Sequence, residues 1–171
     1  MDADQLRTLQ APLKQKYRET PDSAHIAARA EAVLDMTDIA CDVSAWHGRV
    51  HAGLHPAAGG SGELACSADM LLEALVACAG VTLRAVATAM AIPLRGGRIV
   101  AEGVWDARGT LGVDKTAPVG LTGITLRFEL DSGAEPAKIE RLIATTERFC
   151  VIFQTLRAPP SLHVSHQVTG G

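Results

Sequence analysis

One helix constrains this chain more than anything else in its 171 residues. Residues 67–90, SADMLLEALVACAGVTLRAVATAM, carry only Asp69, Glu73 and Arg84 as charges. With Ser67 or Asp69 as its cap, the segment is a helix apolar on nearly every side, and such a helix must be buried. Hydrophobic residues make up 47% of the chain but aromatics only 4%. The interior around that helix is therefore filled by Ala, Val, Leu and Ile, which let neighbouring elements approach closely. So much apolar helix surface exceeds what a small two-layer domain covers alone, which predicts an obligate homodimer. On a wheel of about 100° per residue, Leu71, Leu75, Cys78, Thr82, Ala85 and Ala89 share one face, and Glu73, Ala77, Gly80 and Arg84 another. Cys78 thus lies mid-stripe, away from the charges.

The flanking segments supply strands and a second helix. Residues 3–18 predict a helix broken early by Pro12, and the PDS at 21–23 ends it. Residues 1–22 read as an N-terminal helical extension and 23–171 as one domain. Three strands follow: His25 to Val33, then Ile39, Cys41, Val43 and Ala45 in alternation, then Val50, Ala52 and Leu54, the last two strands turning at Trp46-His47-Gly48. HPAAGGSGE at 55–63 reads as a mobile loop. Beyond Pro93 and Gly96-Gly97, IVAEGVWDARG predicts a strand that pairs with the alternating Ile124, Leu126, Phe128 and Leu130. Pro136 opens a second long helix with the stripe Ile139, Leu142, Ile143, Thr146, Phe149 and Cys150. VIFQTLR is a short helical piece, and Leu162, Val164 and His166 suggest a last strand. Strands and helices in this order make an α+β domain.

Charge and termini exclude several roles. The net charge of −3, the pI near 6.0 and the absence of any Lys/Arg run give no electrostatic footprint for nucleic acid or an anionic membrane. The N-terminus is charged throughout without an apolar leader core, and no stretch reads as the ~18–20 uncharged residues of a membrane span, so a cytoplasmic location is expected. Thiols there stay reduced, and Cys41, Cys66, Cys78 and Cys150 are read as packing, metal-binding or redox-active residues rather than structural disulfides.

Each cysteine has its own context. Cys41 alternates inward with Ile39 and Val43 and reads as packing, and Cys66 before the helix start carries no assigned role. Cys78 and Cys150 lie on the apolar stripes of the two long helices. Packing is the default for a buried thiol. If those helices meet, however, one thiol can form a sulfenic acid and the other resolve it as a disulfide. His47, His51 and His55 are four apart, but Gly48, Gly53 and Pro56 mark an extended chain, in which they stand ~13 Å apart, too far to share one ion. No metal or other cofactor is expected. Glu73 and Arg84 share a face three turns apart, so each is expected to meet a partner on another element. The GTLGVDKTAPVG loop lacks Gly-Lys-Ser/Thr and a following helix, which excludes a phosphate cradle.

CSADMLLEALVACAGVTLRAVA, WDARGTLG, APVG, LTGITLRFEL and ERFCVIFQTL, spanning residues 66 to 157, together resemble a divergent branch of the OsmC/Ohr family (osmotically inducible protein C and organic hydroperoxide resistance). The resemblance implies an α+β fold with a curved antiparallel sheet wrapped around two central helices, and an intertwined homodimer. It also implies a thiol peroxidase acting on organic hydroperoxides with a dithiol reductant, Cys78 attacking and Cys150 resolving. The peroxidases of that family carry a Pro-Glu pair whose carboxylate holds an arginine over the thiol. Here Ser67 and Ala68 stand at those positions, followed by Asp69. Arg29 and Arg49 are the candidates for that arginine, and Cys150-Val151 replaces the family's Cys-Pro. A buried thiol in Ala-lined surroundings has its pKa raised unless a cation or a helix N-terminus compensates. Three readings stay open: the peroxidase, a non-catalytic dimer binding a small hydrophobic ligand in an apolar, thiol-lined cleft, and a structural dimer whose cysteines fill space.

Overall fold

The computed structural model describes residues 1–45 and 48–169. Helix α1 spans Ala3–Glu19. The Asp2 carboxylate accepts the Gln5 N–H at 2.8 Å while the Gln5 side chain accepts the Asp2 N–H at 3.0 Å, a reciprocal capping box. Pro12, expected to break this helix, sits inside it. None of α1 is buried, so water satisfies the carbonyl that the missing N–H leaves free.

Strands β1 (Glu31–Leu34), β2 (Ala40–Ala45) and β3 (Gly48–Gly53) form an antiparallel sheet in that order. β1 is shorter than the expected His25–Val33. Glu31 pairs with Ser44, and β2 ends one residue later, so residues 25–30 have no ladder to join. β2 and β3 pair antiparallel from Ala40↔Gly53 to Ala45↔Gly48, and the turn residues Trp46 and His47 lie outside the described residues. Ile39, expected inward beside Cys41, is 73% exposed. The segment read as a mobile loop is instead tied down. The Gly53 N–H donates to the Ala65 carbonyl at 3.0 Å and the Ala65 N–H to that of His51 at 3.1 Å. At Gly60 a Cβ would lie 1.7 Å from the Leu54 carbonyl oxygen, so only glycine lets the loop fold back this closely.

Helix α2 spans Ser67–Ala89. Its N-cap is Cys66, not Ser67 or Asp69, and no side chain caps it. The bridge between Ala52 and Ala65 holds the chain extended up to Cys66, which leaves Ser67 already in the first turn. By length and composition alone α2 could cross a membrane, contrary to the sequence expectation. Its buried side is the row Leu75, Ala79, Leu83 and Ala87. Only 22% of its most apolar stretch is buried within the chain, and Val81 is 74% exposed. The helix expected to be buried on every side is therefore half covered, because one chain supplies neighbours on one side only. Just past the Met90 cap of the helix, Ala91 has a φ of 52°, which puts a Cβ-bearing residue in the left-handed conformation.

β4 (Gly96–Trp105) and β5 (Leu121–Asp131) pair antiparallel, Gly96 opposite Asp131, with a bulge between Val104 and Trp105. The one-turn helix α3 (Ala107–Thr110), capped by Asp106, lies in their connection. Helix α4 (Pro136–Phe149) starts on the proline as read from sequence, and α5 (Val151–Arg157) follows after Cys150. α2 packs on β4, α4 and α5. Leu83, Ala87, Ile92 and Leu142 form the buried core, covered by Ile99, Phe128, Leu130 and Ile139 among others. Phe149, placed on the apolar stripe by sequence, is 58% exposed beneath the Arg148 guanidinium, 5.3 Å from its ring centre. The expected last strand is absent: 160–169 has no ladder partner, and Leu162 and Val164 are 89% and 96% exposed.

Candidate functional site

The joint between α4 and α5 builds the site. Cys150 caps both helices: its N–H donates to the Thr146 carbonyl at 2.9 Å, and its carbonyl accepts the Gln154 N–H at 3.0 Å. The Gln154 side chain spans the joint to the Glu147 carbonyl at 2.8 Å. The Thr146 hydroxyl, fully buried, donates to the Leu142 carbonyl at 2.8 Å. With backbone and neighbours so constrained, Cys150 is held at 1% exposure. Because α5 begins immediately after it, the N–H groups of Val151, Ile152 and Phe153 have no partner within the helix and point toward the start of α5.

Into that space α2 brings Cys78, half-buried and beside the Cys150 thiol. Burial pushes the Cys78 thiol up. Hydrogen bonds from the Ile152 N–H, the Cys150 thiol, the Val151 N–H and the Thr82 hydroxyl outweigh it, and the Cys78 pKa falls below that of an ordinary thiol. Cys150 moves the opposite way. Burial raises it, and the N–H groups of Phe153 and Ile152 do not offset that rise once donation to Cys78 and repulsion by its negative charge are added. Two thiols of one kind thus become unlike: the Cys78 pKa is displaced downward and the Cys150 pKa upward.

The two cysteines singled out from sequence are therefore brought together. The two arginines are not brought to them in this chain. Arg29 pairs with Glu31 at 2.5 Å and Arg49 with Asp42 at 3.7 Å, with side chains 83% and 74% exposed. The compensation that sequence reasoning sought from a cation comes instead from backbone N–H groups and Thr82. One signal for them was available: a cysteine set directly before a helical heptapeptide has free N–H groups beside it, and whatever thiol meets Cys150 meets them too. Val151 matters here, since a proline at that position has no N–H to give.

A second feature lies at the other end of α2. Cys66 and Ala68 line a cavity of about 600 Å³ together with Leu71, Trp105, Leu121 and Ile124. His55 also lines it, its ring meeting Trp105 edge-on at 5.4 Å between centres. Along the helix Cys66 lies roughly 18 Å from Cys78, and Leu71, the lining residue of α2 nearest to Cys78, roughly 10 Å from it. Of the remaining histidines read from sequence, His51 sits 3.1 Å from Asp42, and His47 lies outside the described residues.

The fold and site define an α+β protein whose two long helices bring together a pair of electrostatically unlike thiols. The family profile described as OsmC-like protein matches residues 60–165, well over half of the chain. The chain belongs to the OsmC-like family. Among solved structures it is similar to the OsmC-like protein of Mycoplasma pneumoniae, at 20% identity and a TM-score of 0.65, covering 78% of this chain and 89% of that one. It is also similar to an organic hydroperoxide resistance protein OsmC of Legionella pneumophila, at 20% identity and a TM-score of 0.61, covering 79% of this chain and 92% of that one. The organic hydroperoxide resistance protein OhrB of Bacillus subtilis aligns at 18% identity with a TM-score of 0.56, covering 78% of this chain and 93% of that one. At these identities the likeness is one of fold. No curated protein sequence matches the chain.

Proposed function

We propose that the protein is a homodimeric thiol peroxidase that reduces organic hydroperoxides to alcohols through Cys78 and Cys150. The observation that carries this reading is the meeting of Cys78 on α2 with Cys150 at the joint of α4 and α5, where free N–H groups of α5 lower the Cys78 pKa while that of Cys150 rises. The Cys78 thiolate attacks the terminal oxygen of R–O–OH. The S–O bond forms as the O–O bond breaks, and the released alkoxide takes a proton from water to give R–OH. Oxidation to the sulfenic acid removes the negative charge from Cys78. The part of the Cys150 pKa rise that came from the Cys78 charge then ends, burial remaining, and Cys150 attacks the Cys78 sulfur as its proton passes to solvent. Hydroxide leaves, is protonated to water, and a Cys78–Cys150 disulfide results. A dithiol reductant returns the pair to two thiols and is itself oxidised to a disulfide. The apolar helices around the thiols favour apolar hydroperoxides over hydrogen peroxide.

The test is consumption of cumene hydroperoxide in the presence of dithiothreitol. Cys78→Ser abolishes it while leaving the fold intact, and Cys150→Ser stops after one turnover at a sulfenic or over-oxidised Cys78. Undiminished turnover by Cys78→Ser refutes the assignment. The cavity of about 600 Å³ beside Cys66 favours a second reading, in which a small apolar ligand is held there without turnover. That reading replaces the first if hydroperoxide is not consumed while an apolar ligand raises the melting temperature.

A further inference from the structure

Between Pro136 and Pro159 the chain has no glycine and no further proline, so no residue type there forbids α4 and α5 from running on as one helix. The break lies at Cys150, whose ψ is 109°, against about −42° in a helix. Closing it would return the Val151 N–H to the Glu147 carbonyl, the acceptor one turn back. The Ile152 N–H would return to the Arg148 carbonyl in the same way, and Cys78 would lose both donors.

What occupies the Glu147 carbonyl is the side chain of Gln154, whose Nε2 donates to it at 2.8 Å in half-buried surroundings. Thr145, Thr146 and Thr155 also donate from their side chains to carbonyls of α4 and α5, but each bond stays within one helix. Among the described residues, Gln154 is the side chain that reaches from one helix to the other. A half-buried carbonyl without a donor is costly, and the break takes from Glu147 the N–H that a continuous helix would give it. Gln154 supplies the replacement, which stabilises the broken chain against the continuous one.

We infer that Gln154 is a positioning residue for Cys78: by holding the Glu147 carbonyl it keeps α4 from running on into α5, and so keeps the N–H groups of Val151 and Ile152 at the Cys78 sulfur. A part in catalysis rests on the peroxidase reading. The hold on the thiolate does not, and it is measured without hydroperoxide.

Gln154→Met keeps the length of the side chain and removes its donor. The pH dependence of Cys78 alkylation by iodoacetamide, followed by peptide mapping of the full-length protein, reads the effect. The half-point of alkylation is expected to move upward, with a thiolate fraction about tenfold smaller at a fixed pH below it. Val151→Pro provides the discriminating background: proline has no N–H for Glu147 and its ring clashes with that carbonyl in a helix, so the break persists whatever stands at 154. Val151→Pro/Gln154→Met is therefore expected to match Val151→Pro alone, whereas a general loosening of the site would move the half-point in both backgrounds. An unchanged half-point in Gln154→Met overturns the inference, as does a further upward shift in the double variant. Loss of cooperative unfolding in Gln154→Met overturns it too, since the residue then holds the fold and not the joint.

Discussion

Replacing Val151 by proline isolates the backbone donor that this chain places beside Cys78. Position 151 is the first residue of α5, where proline fits the helix, and Cys150 before it is extended, with φ −74° and ψ 109°, as the residue before a proline requires. The Val151 side chain is 67% exposed and its N–H takes part in no backbone hydrogen bond, so the exchange removes little besides that donor. A hydrogen bond to a charged group is worth about 1.5–3 kcal/mol, and solvent around the half-buried Cys78 holds the figure to the lower end. A loss of ~1.4 kcal/mol lowers the thiolate population about tenfold at a pH below the thiol pKa. The more basic thiolate is also the better nucleophile, so oxidation by hydroperoxide slows only about three- to fourfold. Ultraviolet titration of the thiolate in a Cys150→Ser background reads the population, and stopped-flow oxidation reads the rate. Val151→Ala retains the N–H and serves as the control. If Val151→Pro and Val151→Ala titrate alike, the N–H groups of α5 do not hold the Cys78 charge and the electrostatic account fails.

Four further outcomes are expected. Thr82→Val removes a smaller donor and raises the Cys78 pKa in the same direction, read by the same titration. Because its pKa lies below that of an ordinary thiol, Cys78 reaches its plateau rate of alkylation by iodoacetamide at a lower pH than free cysteine, whereas Cys150, displaced upward, needs a higher one; mass mapping of the alkylated peptides follows both. Ala91→Gly relieves a left-handed residue at the end of α2, a gain of ~1–2 kcal/mol less the ~0.4–1 kcal/mol of added unfolded-state entropy, and the melting temperature rises by a few degrees. Val81→Glu puts a charge on the uncovered face of α2 and is expected to shift the proposed homodimer toward monomer in sedimentation velocity, while a wild-type monomer at low micromolar concentration with full cooperative unfolding refutes that proposal.

Most of the fold could be read from the chain wherever one strong local signal acted alone. The alternation of Ile124, Leu126, Phe128 and Leu130 gave β5, Pro136 gave the start of α4, and VIFQTLR matched α5 residue for residue. Elements that depend on a partner were misread. β1 extends only as far as β2 offers a ladder, and residues 160–169 have the composition of a strand but no neighbouring edge. The side of α2 that its own chain covers was not singled out either, because a helix apolar all round carries no signal of which face that is. At the site, Cys78 and Cys150 were legible from their places on two apolar stripes. Their difference in acidity was not, since it arises from main-chain N–H groups that every sequence possesses and only the break between α4 and α5 aims. The search for a compensating charge went to Arg29 and Arg49 because side-chain cations are explicit in a sequence, whereas free backbone donors show only indirectly, here through the place of Cys150 just before VIFQTLR.

Intact-mass and peptide mapping after one equivalent of cumene hydroperoxide tests the central claim most directly. The account predicts a single disulfide joining Cys78 to Cys150, with Cys41 and Cys66 recovered as free thiols. Oxidation spread over all four cysteines, or a disulfide that includes Cys66, contradicts it.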